Sequence, residues 1–193
     1  GGGLQALSVA RSLKKERYSV IALLHRGDIS TKSKYIDELY TIDITPTYKK
    51  EYLSSVHRVL QVHAISVIIP LSDVTAEFLS IHKVNLEHEY HLKCAIPNYD
   101  IFQKANDKWQ LMDLCKENFI PHPRTQLLTS SNLQEAAGAI GFPALIKPNI
   151  SVGARGITMV CSLSDLQDKY DGILRKYGEC TLQEYIDTSG APY

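Results

Sequence analysis

Apolar residues recur along this chain in two rhythms. Near the start, Leu4, Leu7, Val9, Ala10 and Leu13 fall on a helical stripe, and residues 19–24 (SVIALL) form a continuous β-branched and leucine-rich run that reads as a buried strand. The alternation continues with a strand over residues 39–44 (LYTIDI), a helix over about 48–62, and a strand over 66–71 (SVIIPL). A helix then starts at Ser72/Asp73 and reaches about Lys83, and KCAIP closes this part as a short strand. Strands alternating with helices of this length predict an α/β fold with a doubly wound, mostly parallel sheet covered on both faces.

After Pro97 the pattern changes. Residues 106–119 (NDKWQLMDLCKENF) predict an amphipathic helix with Trp109, Met112 and Phe119 near one face, stopped by IPHPR because proline lacks a donor and excludes the helical conformation before it. A strand (TQLL) follows, then a helix with a predicted capping box, Ser131 with Gln134, ending at Gly141. PALIKPN and GITMV read as two strands joined by the turn ISVGARG, and a further helix is predicted with Ser164 and Gln167 as its capping box and Gly178 at its end. CTLQEYI is the last predicted strand. This second part is α+β, and the boundary is predicted to separate residues 1–103 from 104–193.

Composition narrows the function. Hydrophobic residues make up 44% and charged residues 22%, the balance of a globular protein rather than a disordered one. Twenty-one basic residues against 21 acidic ones leave no net charge, so the basic footprint of a nucleic-acid binder is missing and small-molecule chemistry moves forward. No apolar run approaches membrane-spanning length. Cys94, Cys115, Cys161 and Cys180 lie far apart without a metal or disulfide pattern and read as reduced thiols of a cytoplasmic protein. His88 and His91 in HEYH have an i, i+3 spacing but read as a solvated helix end. No metal site is expected within these residues.

Three stretches carry candidate chemistry. The opening GGGLQA spells Gly-x-Gly-x-x-Ala through Gly1, Gly3 and Ala6, the pattern that lets a backbone approach a dinucleotide pyrophosphate. Such a turn needs a strand in front of it, so the native N-terminus is expected to be missing or processed, and these residues do not tell of a targeting segment. The carboxylate that would hold the ribose is replaced by His25 or Arg26, with Asp28 past the glycine, although Arg26 keeps a 2′-phosphate reading open. The second stretch, LIKPNISVGARGITMV, places Lys147 at a strand end and then Ser151, Gly153, Arg155 and Gly156 in a turn. Freed amides, a hydroxyl and two cations there suit the phosphates of a nucleotide, while an ordinary glycine-rich hairpin with an extended lysine is the alternative. In the third, TLQEYI, alternation puts Leu182, Glu184 and Ile186 on one side and Gln183 and Tyr185 on the other, an edge that suits an adenine or simply an amphipathic strand.

The order of Lys108, Lys147, the glycine turn and the Gln183–Ile186 stretch resembles the ATP-grasp superfamily, as in the carbamoyl-phosphate synthase large chain, biotin carboxylase and related carboxylate ligases. ANDKWQLMDLCKENFIPHPRT is similar to the family's helix and proline-containing strand, and GFPALIKPNISVGARGI to its lysine strand and phosphate-covering turn. The resemblance implies a doubly wound pre-ATP-grasp domain followed by the first half of an ATP-grasp domain. It implies that Lys108 and Lys147 contact ATP phosphates, that Ser151, Gly153, Arg155 and Gly156 close over them, and that Gln183, Glu184, Tyr185 and Ile186 hold the adenine and ribose. Gly2, Gly3 and Leu4 then mark at most the edge of a substrate pocket. The implied reaction activates a small-molecule carboxylate as an acyl phosphate for capture by an amine or other nucleophile, with Mg2+ neutralising phosphate charge and a homodimer allowed. Arg155 departs from the small residues usual in that turn. The magnesium ligands and acceptor pocket are expected beyond Tyr193, so this stretch alone is expected to be inactive. Two other classes stand beside this one: an NADP-dependent oxidoreductase or redox sensor using the N-terminal glycines, and a non-catalytic nucleotide-binding module.

Overall fold

A computed structural model describes residues 2–43 and 49–187. The chain divides into two units, Gly1–Phe102 and Gln103–Tyr193.

In the first unit the apolar stripe near the start forms α1 (Gly3–Lys15), which buries Ala6 and Ala10. The β-branched run gives β1 (Ile21–His25), which pairs in parallel with β2 (Glu38–Ile42). Next come α2 (Lys49–Val62), β3 (Val67–Ile68), α3 (Asp73–Tyr90) and β4 (Lys93–Cys94), with β3 and β4 also parallel. Tyr52, Val56 and Leu60 recur every four residues on α2 and meet Phe78, Leu79 and Leu86 of α3 in one apolar cluster. Burying each such side chain contributes roughly 1.5–3 kcal/mol, which outweighs the weak helix preference of the aromatic and β-branched residues among them. The fold is mixed α/β, but the two parallel ladders are separate two-stranded sheets rather than one doubly wound sheet. Only Val67 and Ile68 of the predicted strand over 66–71 enter a ladder; Pro70 brings no donor to extend it. Residues of both ladders, among them Ala22, Leu24 and Val67, line an apolar cleft of about 660 Å³.

The helix expected to reach Lys83 continues to Tyr90. Lys83 and Glu87 pair one turn apart at 3.0 Å, Glu87 Oε1 accepts from the Cys94 amide at 2.8 Å, and Lys83 Nζ donates to the Cys94 carbonyl. That network needs both side chains on a helix beside β4. His88 lies in this longer helix and His91 caps it in the left-handed conformation, and among the described residues no group of three or more His, Cys, Asp or Glu is placed to hold a metal ion.

The second unit begins with α4 (Tyr99–Asn106), shared across the division and not anticipated from the pattern, and α5 (Lys108–Glu117). Phe119 lies beyond α5 at φ 56° and is 94% exposed, so it does not share the packed face expected for it. β5 (Thr125–Leu127), α6 (Leu133–Ile140), β6 (Ala144–Pro148), β7 (Thr158–Val160), α7 (Leu163–Tyr177) and β8 (Cys180–Glu184) complete it. The four strands form one antiparallel sheet in the order β5-β8-β6-β7.

Alternation along these strands divides the sheet. Ala144, Ile146, Val160, Cys180 and Leu182 point to a core completed by Ala136 and Ile140 of α6 and Leu166 and Tyr170 of α7. Burial there pushes the Cys180 thiol pKa up to about 11, so it is an inert core group. Leu145, Lys147, Thr181, Gln183 and Thr125 stand on the opposite face by the same register. Two predicted caps are displaced by one or two residues. Asn132, not Ser131, precedes α6, its Oδ1 accepting from the Thr129 amide in a local turn. Ser162, not Ser164, caps α7 by accepting from the Asp165 amide, while Asp165 returns a bond from the Cys161 amide.

Candidate functional site: two lysines on a glycine turn

Lys147 is the fourth residue of β6 and stands on the sheet face opposite the core. Its ammonium donates to Gln183 Oε1, and Gln183 Nε2 donates in turn to Thr125 Oγ1 at 2.9 Å. Lys108 is the first residue of α5, which Asp107 caps by accepting from the Gln110 amide at 3.0 Å. A lysine at that end adds to the positive end of the helix dipole, an arrangement that disfavours the isolated helix and favours an incoming anion. The chain then bends its glycine turn onto this lysine. Lys108 Nζ donates to the Ser151 carbonyl and hydroxyl, both at 3.1 Å, and to the Asn149 carbonyl at 3.4 Å.

Lys147 titrates below an ordinary lysine, first because burial disfavours its charged form and second because the Lys108 charge is nearby. The two cations therefore feel each other across the start of the turn. Between them Asn149 is buried, its amide donating to the Glu179 carbonyl at 2.8 Å, and its side-chain Oδ1 has no hydrogen-bond partner among the described residues. An unmatched buried acceptor costs about 1–3 kcal/mol.

The turn itself is left-handed at Gly153 (φ 60°), Ala154 (φ 61°) and Gly156 (φ 78°). A Cβ at Gly156 would stand 2.7 Å from Pro148 Cγ and 2.8 Å from Tyr177 Cδ2, so this glycine serves both the conformation and the close approach of the turn to β6 and α7. Arg155 lies exposed within the turn.

Of the third stretch, Gln183 is buried on the Lys147 side and Leu182 in the core, the alternation read from the sequence. Glu184 ends β8 in a clamp made by Arg124. Its Oε1 accepts from the Arg124 amide at 2.8 Å and its Oε2 from Arg124 Nε at 2.7 Å. These bonds, the backbone one foremost, hold the Glu184 carboxyl below the usual carboxylate range. Tyr185 and Ile186 follow the strand, 40% and 58% exposed. The structure thus brings Lys108, Lys147, Ser151 and Gln183 together. Arg124 and Thr125 were not singled out from the sequence, because their importance comes from strand pairing with residues about 60 positions away.

Gly2, Gly3 and Leu4 belong to the first unit, where the glycine turn already holds an anion. Asp28 accepts from the Gly3 amide through both oxygens at 3.0 Å, from the Ser30 amide at 2.8 Å and from the Ser30 hydroxyl. These donors, the Ser30 hydroxyl first and the Gly3 amide next, keep its carboxyl below the usual range. The chain's own carboxylate therefore occupies the helix start where a pyrophosphate would sit. Arg26, the residue that left a 2′-phosphate reading open, pairs with Asp43 at 2.9 Å.

No family model matches the chain. It is 24% identical over 164 residues to a D-aspartate ligase from Enterococcus faecium, covering 79% of this chain and 38% of that one. Over 179 residues it is 27% identical to the arginine-specific carbamoyl phosphate synthase large chain of Geobacillus stearothermophilus, covering 91% of this chain and 16% of that one. Its fold is similar to the biotin carboxylase domain of Hydrogenobacter thermophilus 2-oxoglutarate carboxylase, solved with MgADP and bicarbonate, at TM-score 0.77 and 20% identity over 97% of this chain and 43% of that one. The chain resembles the ATP-grasp ligases in sequence and in fold. It spans less than half the length of each of these three proteins. Among the described residues no helix is long and apolar enough to cross a membrane.

Proposed function

We propose that this chain carries the nucleotide-gripping part of an ATP-dependent ligase of the ATP-grasp type. Residues 1–103 serve as the pre-ATP-grasp domain and 104–193 as the first half of the ATP-grasp domain. The observation that carries the reading is the meeting of two cations far apart in sequence: Lys108 Nζ bonds to Ser151 at the start of the glycine turn, and Lys147 lies close enough to feel its charge.

In this reading Lys108 and Lys147 hold the phosphates, and the backbone amides of residues 151–156 with Arg155 cover them. Lys108 exchanges its Ser151 partners for phosphate oxygens, which frees the turn to close. The strand end at Glu184, Tyr185 and Ile186 offers backbone groups and apolar surface to the adenine, and the Arg124 clamp keeps that end in place. Gln183 acts on Lys147 rather than on the base, since both ends of its amide are engaged within the protein.

The reaction follows that of carbamoyl-phosphate synthase and related ligases. A substrate carboxylate oxygen attacks the γ-phosphorus, the bond to the β-phosphate oxygen breaks, and ADP departs. An amine or other nucleophile then attacks the acyl carbon and phosphate leaves. The lysines stabilise the charge that moves onto the phosphate oxygens, which is where positioning and electrostatics contribute most to phosphoryl transfer. Among the described residues no group of three or more His, Cys, Asp or Glu is placed to hold Mg2+. The substrates are small molecules, and a cytoplasmic enzyme is the setting this chemistry fits.

Thermal unfolding of the full chain tests the reading. ATP raises the midpoint and NADPH does not, and Lys147→Ala removes the ATP effect. Protection by NADPH but not ATP would return the nucleotide to the N-terminal glycines.

A further inference from the structure

Thr125 is absent from the phosphate and adenine contacts above, yet it decides which end of Gln183 faces Lys147. The two ends of a glutamine amide differ in chemistry: oxygen accepts, nitrogen donates. Register puts Thr125 directly opposite Gln183 and puts Lys147 opposite Thr181, so Thr125, Gln183 and Lys147 share one sheet face. Thr125 Oγ1 donates its only proton to the Pro123 carbonyl at 2.9 Å. A carbonyl has no proton to give back. Toward Gln183 Nε2, also 2.9 Å away, the hydroxyl oxygen is thereby left as an acceptor. The nitrogen of Gln183 must face Thr125, and the oxygen is turned to the Lys147 ammonium, itself a donor only.

The opposite orientation would set an NH2 group against an ammonium and a carbonyl against a lone pair. Both contacts are repulsive in a face where Gln183 is only 6% exposed and water offers little relief.

We propose that Thr125 is a positioning residue for nucleotide binding: oriented by the Pro123 carbonyl, its hydroxyl locks the Gln183 amide so that Gln183 anchors the Lys147 ammonium. This rests on the reading of Lys147 as a phosphate ligand. The signal runs from a backbone carbonyl through a hydroxyl and an amide to the cation. Each link is a hydrogen bond whose direction is fixed by the one before it. Removing the hydroxyl frees the amide to rotate and leaves Lys147 without a defined place.

Calorimetric titration of the full chain with ATP tests this with four single variants and one double variant. Thr125→Val is expected to weaken ATP binding about tenfold, and Thr125→Ser, which keeps the hydroxyl, to stay within about twofold of the unaltered protein. Gln183→Leu is expected to weaken binding like Thr125→Val, and supplies the same reading should the valine variant fold poorly. Lys147→Met is expected to weaken it more than either, and adding Thr125→Val to Lys147→Met is expected to do nothing further. If Lys147→Met weakens binding while Thr125→Val and Gln183→Leu do not, the relay is overturned and the phosphate role of Lys147 stands. Equal weakening by Thr125→Val with and without Lys147 also overturns it, since the threonine then acts independently of the lysine. If Lys147→Met leaves ATP binding unchanged, the phosphate reading fails and the relay falls with it.

Discussion

The two units each present a glycine-rich turn with the residue types of a phosphate site, and they treat it in opposite ways. In the first, the amide of Gly3 is engaged by Asp28, a carboxylate 25 residues on. In the second, the ammonium of Lys108, on a helix start that already carries positive partial charge, bonds to Ser151 of the turn, and a second ammonium, Lys147, lies within reach of its charge. A glycine pattern reports only that a backbone bends sharply and can be approached closely. The charge of the side chains brought beside it decides whether an anion is wanted there.

The largest effect expected from breaking this contrast is on the cationic turn. Lys147→Ala should weaken ATP binding about a hundredfold, the upper range for a bond to a charged group, with the change read by calorimetry. Gly156→Ala comes next. A left-handed φ of 78° and contacts under 3 Å to Pro148 and Tyr177 oppose any side chain, so unfolding free energy should fall by about 1–3 kcal/mol and ATP affinity should fall with it. The matching change in the first unit separates the two turns. Asp28→Ala removes a cap and should lower stability by about 1 kcal/mol in denaturant unfolding while leaving ATP affinity unchanged. A loss of ATP binding in that variant would show that the first turn takes part in gripping the nucleotide.

The smallest effect is on acid stability. Asp28 and Glu184 both have carboxyls held below their ordinary values of 3.8 and 4.5. A depressed folded pKa means stability that is full above the ordinary value and is lost as pH falls through the lower, folded one. Stability should therefore decline below about pH 4, and Asp28→Asn and Glu184→Gln should each flatten that decline in an acid unfolding series.

The features that could be read from the chain are those fixed by neighbours in sequence. The helical stripe of α1, the leucine-rich run of β1 and the position of Lys147 at a strand end before a glycine turn all lie within about a dozen residues. Caps were displaced because Ser131 and Asn132, or Ser162 and Ser164, are chemically equivalent candidates, and the fold chooses between them through bonds such as Asp165 to the Cys161 amide. The parallel ladders were expected as one sheet because the alternation of strands with helices predicts parallel pairing but not which edges meet. Thr125 was invisible for the same reason: its meaning depends on lying opposite Gln183, and nothing in PRTQLL announces that partner. Lys108 was found only through resemblance, since its approach to Ser151 spans 43 residues.

Glycine amides offer the most direct view of the central claim, because the two turns place them on opposite sides of the comparison and they resonate in a sparsely occupied part of an amide NMR spectrum. Titrating the 15N-labelled chain with ATP should shift the amides of Gly153 and Gly156 and leave those of Gly3 and Gly27 in place. Shifts at Gly3 without shifts at Gly153 and Gly156 would contradict the account.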